Sequence, residues 1–383
     1  MKAMQKRLGI YFFAILVLTI ISNCIDPIEP DFELREGLIF VEGFASTEPG
    51  VSFVSITESA IEFGVYVVNF VEGASAELEN VDNGEIVPLV EIEEAYVPPE
   101  DFTVAPGESW KLNILMPDGK QFTSEVEKVL DPIPLSDLKV QYDPELEFRE
   151  IFGGRFVPGH EIFVSFTDPP GAGNYYYWSY RSYENLDICE KCRESYFRDG
   201  ECRPLPRGIG GLQPYYDYPC QSDCWRIRFP ESIPIFEDEF SNGRTITDFS
   251  IGNAILYTKE DMVIEVQQFA ISASAHEYYK VLKDLVDNNS GLNAPPPAGL
   301  VGNMFNPADS EEFVFGRFTA AATSLASVFV DRTFIGEEAL EGREPLITEP
   351  TFGSPLPPPA TVSAPCSETR FRTAIRPEAW IDQ

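Results

Sequence analysis

The chain has 383 residues, enough for two or three domains of ordinary size. Its hydrophobic fraction of 44% and charged fraction of 23% exclude a wholly disordered chain and a polytopic membrane protein. The formal net charge of −34 excludes a nucleic-acid-binding protein, because that class needs cations to displace phosphate counterions. The 32 Pro, 27 Gly and 13% aromatic residues favour a β-rich chain with many turns.

The N-terminus has the pattern of a bacterial lipoprotein signal. Lys2, Lys6 and Arg7 precede an apolar run at residues 8–21, which is too short to cross a hydrocarbon core of about 30 Å. The run leads into Ile-Ser-Asn-Cys at 21–24, which resembles a lipobox. We therefore predict a signal peptide at residues 1–23 and acylation of Cys24. Ordinary cleavage nearby, with Cys24 left as a free thiol, is the alternative.

The stretch at residues 24–35 is acidic and contains two prolines. Its charge keeps it solvated and its prolines disfavour helix, so we predict a tether between the lipid and the first domain. Acidic residues soon after a lipidated Cys also resemble the surface-export signals of Bacteroidota-type lipoproteins. We therefore expect an outer-membrane protein held by its lipid anchor and facing the cell exterior.

Residues 36–131 are predicted to form an Ig-like or transthyretin-like β-sandwich. Runs of β-branched and aromatic residues at 38–41, 51–56 and 66–71 have the length of strands. Asn83-Gly84 and Asp118-Gly119 are turn sequences that typically connect the strands of a hairpin. A Pro-rich stretch after residue 131 indicates a domain boundary.

Residues 132–332 are predicted to form a second β-rich domain with one helix near 274–289. Ser274 and Glu277 have the spacing of a capping box, and an apolar stripe follows them. His160 and His276 are predicted at the surface. The Pro-rich segment 333–383 is predicted to be an extended tail with little structure of its own.

Short strings spread over most of the chain resemble a family of Bacteroidota lipoproteins that is named only as a domain of unknown function. They include Val-Glu-Gly at 41–43, Pro-Gly-Glu-Ser-Trp-Lys-Leu at 106–112, Gly-Asn at 302–303, Val-Phe-Gly-Arg-Phe at 314–318 and Arg-Pro-Glu-Ala-Trp at 376–380. Such proteins are typically encoded beside TonB-dependent outer-membrane receptors of the starch-utilisation type. The resemblance implies an accessory surface lipoprotein that partners such a receptor, and it supplies no catalytic residues.

Six cysteines remain once Cys24 is set aside, and five of them lie in an insert at residues 189–224. They are Cys189, Cys192, Cys202, Cys220, Cys224 and Cys366. The signal peptide indicates an oxidising compartment, where paired cysteines usually form disulfides, and a zinc site is the alternative. Because five is odd, complete pairing requires Cys366 to bond one cysteine of the insert.

The insert also differs from the rest of the chain in charge. Residues 189–228 carry seven cations against six acids, a net charge of +1, in a chain of net charge −34. Arginine and aromatic side chains are enriched at binding hot spots. We therefore predict a binding surface for a partner protein or a glycan at Arg203, Arg207, Tyr215, Tyr216, Tyr218 and Trp225. The alternative is an excursion without a core, held together by its disulfides.

No assembled catalytic motif is present in the sequence, so we predict a protein that is not an enzyme and needs no cofactor or metal. The acidic residues 237–239 lack the spacing of an EF-hand loop, which favours a solvated turn over a Ca²⁺ site. The predicted function is ligand capture, nutrient uptake or complex assembly beside a TonB-dependent receptor. A stand-alone glycan- or peptide-binding module is the first alternative, and a secreted hydrolase is the second.

Overall fold

A computed structural model describes residues 36–63, 65–171, 173–204, 215–288, 300, 302–341, 346–349 and 361–382. The predicted signal peptide, Cys24 and the tether lie outside these residues. Strands make up 52% of the described residues and helix 6%, which confirms the predicted mainly β fold. No helix in these ranges is long and apolar enough to cross a bilayer.

The strands follow one another along nearly the whole described chain. In chain order they are β1 (Ile39–Ser46), β2 (Phe53–Glu62), β3 (Val65–Phe70), β4 (Ser75–Asn80), β5 (Ile86–Pro88), β6 (Val90–Ile92), β7 (Ala95–Val97), β8 (Ser109–Leu115), β9 (Gln121–Ser124), β10 (Glu127–Lys128), β11 (Leu135–Arg149), β12 (Arg155–Thr167), β13 (Tyr175–Asn185), β14 (Ile188–Cys192), β15 (Ser195–Arg198), β16 (Glu201–Pro204), β17 (Tyr216–Pro219), β18 (Trp225–Arg228), β19 (Ile235–Glu237), β20 (Thr245–Ile255), β21 (Met262–Ile271), β22 (Met304–Phe305), β23 (Val314–Val330) and β24 (Arg372–Thr373). The helix α1 spans Ala273–Asn288, and a single 3-10 turn spans Glu150–Phe152.

The largest sheet has 11 strands, with the main order β24-β18-β13-β21-β23-β1-β2-β7-β6. The long strand β23 joins its two halves, because it pairs in parallel with β1 through residues 314–321 and antiparallel with β21 through residues 322–330. Two smaller sheets pack against this one. One has the order β22-β9-β8-β4-β5, and the other has the order β11-β12-β20.

The predicted boundary near residue 131 does not separate two independent domains. The β1–β23 pairing joins the first predicted domain to the second in one sheet. The carbonyl of Ile133, in the predicted linker, accepts a hydrogen bond of 2.5 Å from Gln268 of β21. A single apolar core contains side chains from both halves, including Leu112 and Phe318. The predicted sandwich is therefore completed by strands that follow it by about two hundred residues.

Three of the family strings are far apart in the sequence but meet in the fold, and two glycines allow their backbones to approach closely. Gly316 of β23 has a φ of +103°, and a Cβ there would lie 1.9 Å from the carbonyl oxygen of Val41. A Cβ on Gly302 would lie 1.6 Å from the carbonyl oxygen of Gly316. Any side chain at either position would force these backbone segments apart. The strings at 41–43, 302–303 and 314–318 therefore lie side by side in the fold, with their backbones in close contact.

The helix agrees closely with its predicted span, but its cap differs from the prediction. Ser272, rather than Ser274, accepts the hydrogen bond of an N-terminal amide, from Ala275 N to Ser272 Oγ at 3.2 Å. Ser274 instead accepts a hydrogen bond of 2.9 Å from the buried Arg317. Ala275 and Tyr279 face the sheet and are buried. The predicted apolar stripe therefore packs the helix onto the sheet.

Both histidines are buried, and the prediction that they lie at the surface is wrong. His160 lies within β12 and is 1% exposed, and His276 lies in the first turn of α1 and is 3% exposed. Burial lowers the pKa of His160 to about 3, and the nearby Arg332 guanidinium contributes. Burial also lowers the pKa of His276. Both side chains are neutral in the folded protein near pH 7.

The burial of His160 predicts a loss of stability in acid. In the unfolded chain an imidazole gains its proton near its ordinary pKa of 6.5, whereas His160 in the folded protein stays neutral until about pH 3. The unfolded state therefore binds more protons between these values, and stability falls as the pH falls through this window. We expect His160→Gln to reduce the slope of the unfolding free energy between pH 5 and 6 by up to about 1.4 kcal/mol per pH unit. Urea denaturation at several pH values measures this slope, and an unchanged slope contradicts the prediction.

Candidate ligand-binding cleft

The aromatic strand β13 separates the core of the protein from a cleft. Successive side chains of a strand point to opposite faces of the sheet. Tyr176 and Trp178 are fully buried against the three-stranded sheet, where the Trp178 ring lies 5.0 Å from that of Phe249. Tyr177, Ser179 and the following odd-numbered positions line the cleft on the other face. The even-numbered side chains of β13 thus belong to the core of the protein, and its odd-numbered side chains form the floor of the cleft.

The cleft has a volume of about 790 Å³. That size falls within the range of small-molecule sites in proteins. Its aromatic lining comes from both halves of the large sheet and consists of Phe44, Phe53, Tyr177, Tyr183, Phe229 and Phe269. The rings are packed against one another, as in the stacked pair Tyr177 and Tyr279, whose centroids are 4.5 Å apart. This packing gives the cleft rigid apolar walls.

A polar stripe crosses the floor between neighbouring strands. Arg181 lies opposite Glu265, and Ser179 lies opposite Gln267. The Arg181 guanidinium is 3.8 Å from the Glu265 carboxylate and donates a hydrogen bond of 3.0 Å to the carbonyl of Gly50. Gln267 donates to Glu265 at 3.3 Å and is only 5% exposed. These side chains hold one another in place, so the stripe is fixed before any ligand arrives.

The C-terminal tail closes one side of the cleft through Arg370. Its guanidinium lies 4.9 Å from the ring centroid of Phe53 on β2 and 5.2 Å from that of Phe229, beyond β18. It is also 3.7 Å from the carboxylate of Glu42 on β1. Since β18 and β2 belong to opposite halves of the sheet, these contacts show that the sheet curls around the cleft. Arg370 bridges the two halves.

A disulfide and a short strand pairing fix the tail in this position. Cys366 is bonded to Cys224, as the odd number of cysteines in the insert predicts. Strand β24 then pairs with β18, with Trp225 opposite Thr373. Trp225 also packs against Trp380, at 5.9 Å between ring centroids. The described part of the tail from residue 361 onward is therefore docked against the sheet. Its attachment through Cys366 follows from the predicted pairing, whereas strand β24 was not predicted.

The predicted binding surface on the insert is wrong for three of its six residues. Tyr216, Tyr218 and Trp225 are 3%, 2% and 1% exposed, because they pack interior clusters. Arg203 is exposed and pairs with Asp199 at 2.9 Å, while Tyr215 is half-buried. Arg207 lies outside the described residues. Three of the six predicted residues therefore support the fold, and among the described residues only Arg203 and Tyr215 remain accessible.

The insert has a small core of its own, so it is not a coreless excursion. Its two hairpins, β14–β17 and β15–β16, enclose the buried Phe197 beside Tyr218. Arg198 forms a two-pronged ion pair with Glu349 of the tail, at 3.1 and 3.2 Å. Tyr218 donates a hydrogen bond of 2.8 Å to the same carboxylate. A second connection between insert and tail thus reinforces the Cys224–Cys366 disulfide.

The residues considered as metal ligands have other partners in the structure. Cys189 is bonded to Cys220 and Cys192 to Cys202, so Cys-x-x-Cys is divided between two disulfides and offers no thiolate for zinc. In the acidic turn at 237–239, Asp238 accepts hydrogen bonds of 3.0 Å from the amide of Gly173 and 3.2 Å from Asn174. Its carboxylate therefore holds a neighbouring loop.

A second cavity of about 720 Å³ lies on the other side of Phe229. Its prominent charged residues are Arg226 and Arg228, which both pair with Glu341 at 2.9 to 3.0 Å. The Arg228 guanidinium also lies 4.4 Å from the ring centroid of Tyr257. These pairings tie the tail to β18, and the other charged residues of the lining are Glu93, Glu190, Glu231 and Arg372. We therefore regard the first cleft, with its aromatic floor and fixed polar stripe, as the candidate site.

The sequence carries one signal for this cleft, which the predicted binding surface on the insert did not include. The odd-numbered positions from 177 to 183 read Tyr, Ser, Arg, Tyr, which is too polar for a core face of a central strand and too aromatic for an ordinary solvent face. The contributions of Phe53, Gln267 and Arg370 had no such signal, because they reach the cleft only through long-range pairing.

Comparison with known proteins gives one match, to a family model described as "Domain of unknown function (DUF4249)", over residues 25–325. That range covers the cleft floor and the insert but ends before the tail that carries Arg370. No curated protein and no solved structure matches the chain.

Proposed function

Because the chain belongs to the DUF4249 family, whose description assigns no activity, we propose its function from the N-terminal signal and the cleft. The protein is a lipid-anchored, non-enzymatic ligand-capture protein at the exterior of the outer membrane. It works as the accessory partner of a TonB-dependent receptor, to which it presents the ligand held in its cleft. The observation that carries the proposal is the preformed aromatic cleft with its fixed polar stripe.

The anchor rests on the order of the N-terminal features. A cationic start, a short apolar run, a lipobox-like Cys24 and an acidic tether follow one another without a gap. Acylation of Cys24 gives the multiple chains that stable membrane attachment needs. The intact mass of the mature protein tests this directly. We expect cleavage before Cys24 and added acyl mass, and we expect Cys24→Ala to be released in soluble form.

The lining of the cleft favours an uncharged, hydroxyl-rich ligand such as an oligosaccharide. Five glutamates and three arginines line it, so anions are repelled overall. A purely apolar ligand would remove water from Arg181, Glu265 and Gln267 without offering hydrogen bonds in its place. Burying polar groups in this way costs free energy. An extended peptide cannot add a strand to β18 beside the cleft, because β24 occupies that edge. Aromatic rings beside planar polar groups suit sugar rings and their hydroxyls.

Replacing Gln267 with leucine tests this ligand class. Leucine keeps the approximate volume but removes both hydrogen-bonding groups from the floor. We expect the affinity for a bound neutral oligosaccharide, chosen from a panel of maltoheptaose, xylohexaose and laminarihexaose, to fall about tenfold, the worth of one good hydrogen bond. Isothermal titration calorimetry measures it. Gln141→Leu, the same change at an exposed position of β11, is the control and should bind as the wild type does. Absence of binding to every oligosaccharide contradicts the ligand class.

A stand-alone glycan-binding module is the second candidate, and the same cleft would serve it. The two candidates differ only in whether a receptor is bound. A hydrolase is less well supported, because two of the five cleft glutamates, Glu42 and Glu265, each lie within 4 Å of an arginine, and a third, Glu368, accepts a hydrogen bond of 2.6 Å from the amide of Ala374. A carboxylate paired with an arginine is stabilised in its charged form, which makes it a poor proton donor for general acid catalysis.

A further inference from the structure

The hairpin β2–β3 ends in an apolar tip that the fold does not use. Phe63 is fully exposed, and Val65 and Val68 are 62% and 54% exposed. Phe63 also has a φ of +51°, an unfavourable conformation for a bulky residue that glycine or asparagine would adopt more easily. An exposed phenylalanine in a strained turn contributes little to folding. The exposed position of this side chain therefore points to contact with something outside the chain.

The chain enters the described structure directly beside this hairpin. The amide of Gly37 donates to the carbonyl of Ser59 at 2.9 Å, and the amide of Ile61 donates to the carboxylate of Glu36 at 3.2 Å. The paired strands continue past this point to Glu62 and Val65. The tip thus projects beyond the place where the tether arrives. The tether therefore joins the fold at the end of the molecule that carries the tip.

The length of the tether limits how the molecule can stand on that surface. The 12 residues from Cys24 to Arg35 span at most about 40 Å when fully extended. The opposite end of the large sheet is reached along β23, whose 17 residues rise about 50 Å from Val314, beside Ile39, to Val330. An inverted molecule would place Glu36 above the reach of its own tether. An orientation with the Phe63 end toward the lipid keeps Glu36 within this reach, whereas full inversion does not.

We propose that the tip of the β2–β3 hairpin, with Phe63 and Val65, inserts into the headgroup region of the bilayer that holds the Cys24 lipid. This inference rests on the proposed anchor. The partner is the interfacial layer of that lipid bilayer, where Phe63 and Val65 reach the apolar boundary while Glu36 and Glu62 beside the tip stay hydrated. The contact fixes the orientation of the protein. It also directs the opposite end, with the exposed Ile151 of the β11–β12 hairpin, away from the membrane.

Fluorescence quenching in vesicles tests the contact. The acylated Phe63→Trp protein is reconstituted into vesicles of brominated phosphatidylcholine, which quench indoles that reach the acyl boundary. Because an interfacial side chain lies about 5–10 Å deep, we expect the emission added by this substitution to be lost. Ile151→Trp, at the opposite hairpin tip and also exposed, is the matched control and should keep its emission. Equal emission of both variants, or quenching at position 151 instead, overturns the inference.

The intact mass of the mature protein separates the two proposals. An acylated Phe63→Trp protein whose added emission is unquenched contradicts the lipid contact alone and leaves the proposed anchor intact. A protein without acyl mass on Cys24 overturns the anchor and the lipid contact together.

Discussion

Replacing Glu184 with alanine should lower the free energy of unfolding by about 3–5 kcal/mol, the usual cost of removing one partner from a buried ion pair. Glu184 is 2% exposed and lies between two arginines. Its carboxylate is 2.8 Å from Arg332 and 3.0 Å from Arg228. The Arg332 side chain has no exposed surface, so the variant would leave its charge in the interior without an opposite charge. Urea denaturation followed by tryptophan fluorescence measures the loss.

A surface pair provides the control for this substitution. Lys139 and Asp248 are 2.6 Å apart, but their side chains are 51% and 55% exposed. Water already solvates both charges, so pairing adds little. We expect Lys139→Ala to leave the urea midpoint unchanged. If both variants lost the same stability, burial would not be the reason that the Glu184 cluster matters.

The Cys224–Cys366 disulfide should stabilise the fold more than the Cys192–Cys202 disulfide does. It closes a loop of 142 residues, whereas Cys192–Cys202 closes one of 10. In the chain-entropy model these loops contribute about 5 and about 3 kcal/mol respectively. We expect the double variant C224S/C366S to lose about 2 kcal/mol more than C192S/C202S in urea denaturation. Paired serines avoid leaving a free thiol that could exchange with the remaining disulfides.

Loss of the Cys224–Cys366 disulfide should also weaken ligand binding, whereas loss of the Cys192–Cys202 disulfide should not. Cys366 is four residues from Arg370, which bridges the cleft between Phe53 and Phe229. Loss of the disulfide frees this wall, so oligosaccharide affinity should fall in C224S/C366S and stay unchanged in C192S/C202S. Calorimetric titration of both variants separates the effects. Equal affinities would show that β24 and Arg370 hold the wall without the disulfide.

Local patterns in the sequence predicted the local structure well. The hairpins at Asn83-Gly84 and Asp118-Gly119 form because these glycines adopt the positive φ angles that the turns require, +78° and +89°. The span of α1 follows from its apolar spacing. Cys366 could be assigned to the insert by parity alone. Each of these predictions depends on residues close in sequence, or on a count that needs no geometry.

Contacts between distant segments were not predictable in the same way. The pairing of β1 with β23 joins residues separated by 275 positions, such as Ile39 and Val314. The sequence of neither strand indicates which other strand it pairs with. Burial of His160 and Tyr216 follows from tertiary packing of this kind. The cleft depends on it as well, because its lining comes from distant parts of the chain. The aromatic and arginine content of the insert predicted a binding surface. In the structure, three of those aromatic side chains are buried in the interior instead.

The most direct test of the proposed function is to isolate the acylated protein from native outer membranes with its partners. Mild detergent extraction, affinity capture through a C-terminal tag and mass spectrometry identify what it holds, and the soluble Cys24→Ala protein is the control. We predict that a TonB-dependent receptor is recovered in stoichiometric amount with the acylated protein and is absent from the control. Recovery of the acylated protein without any such receptor would contradict the partnership.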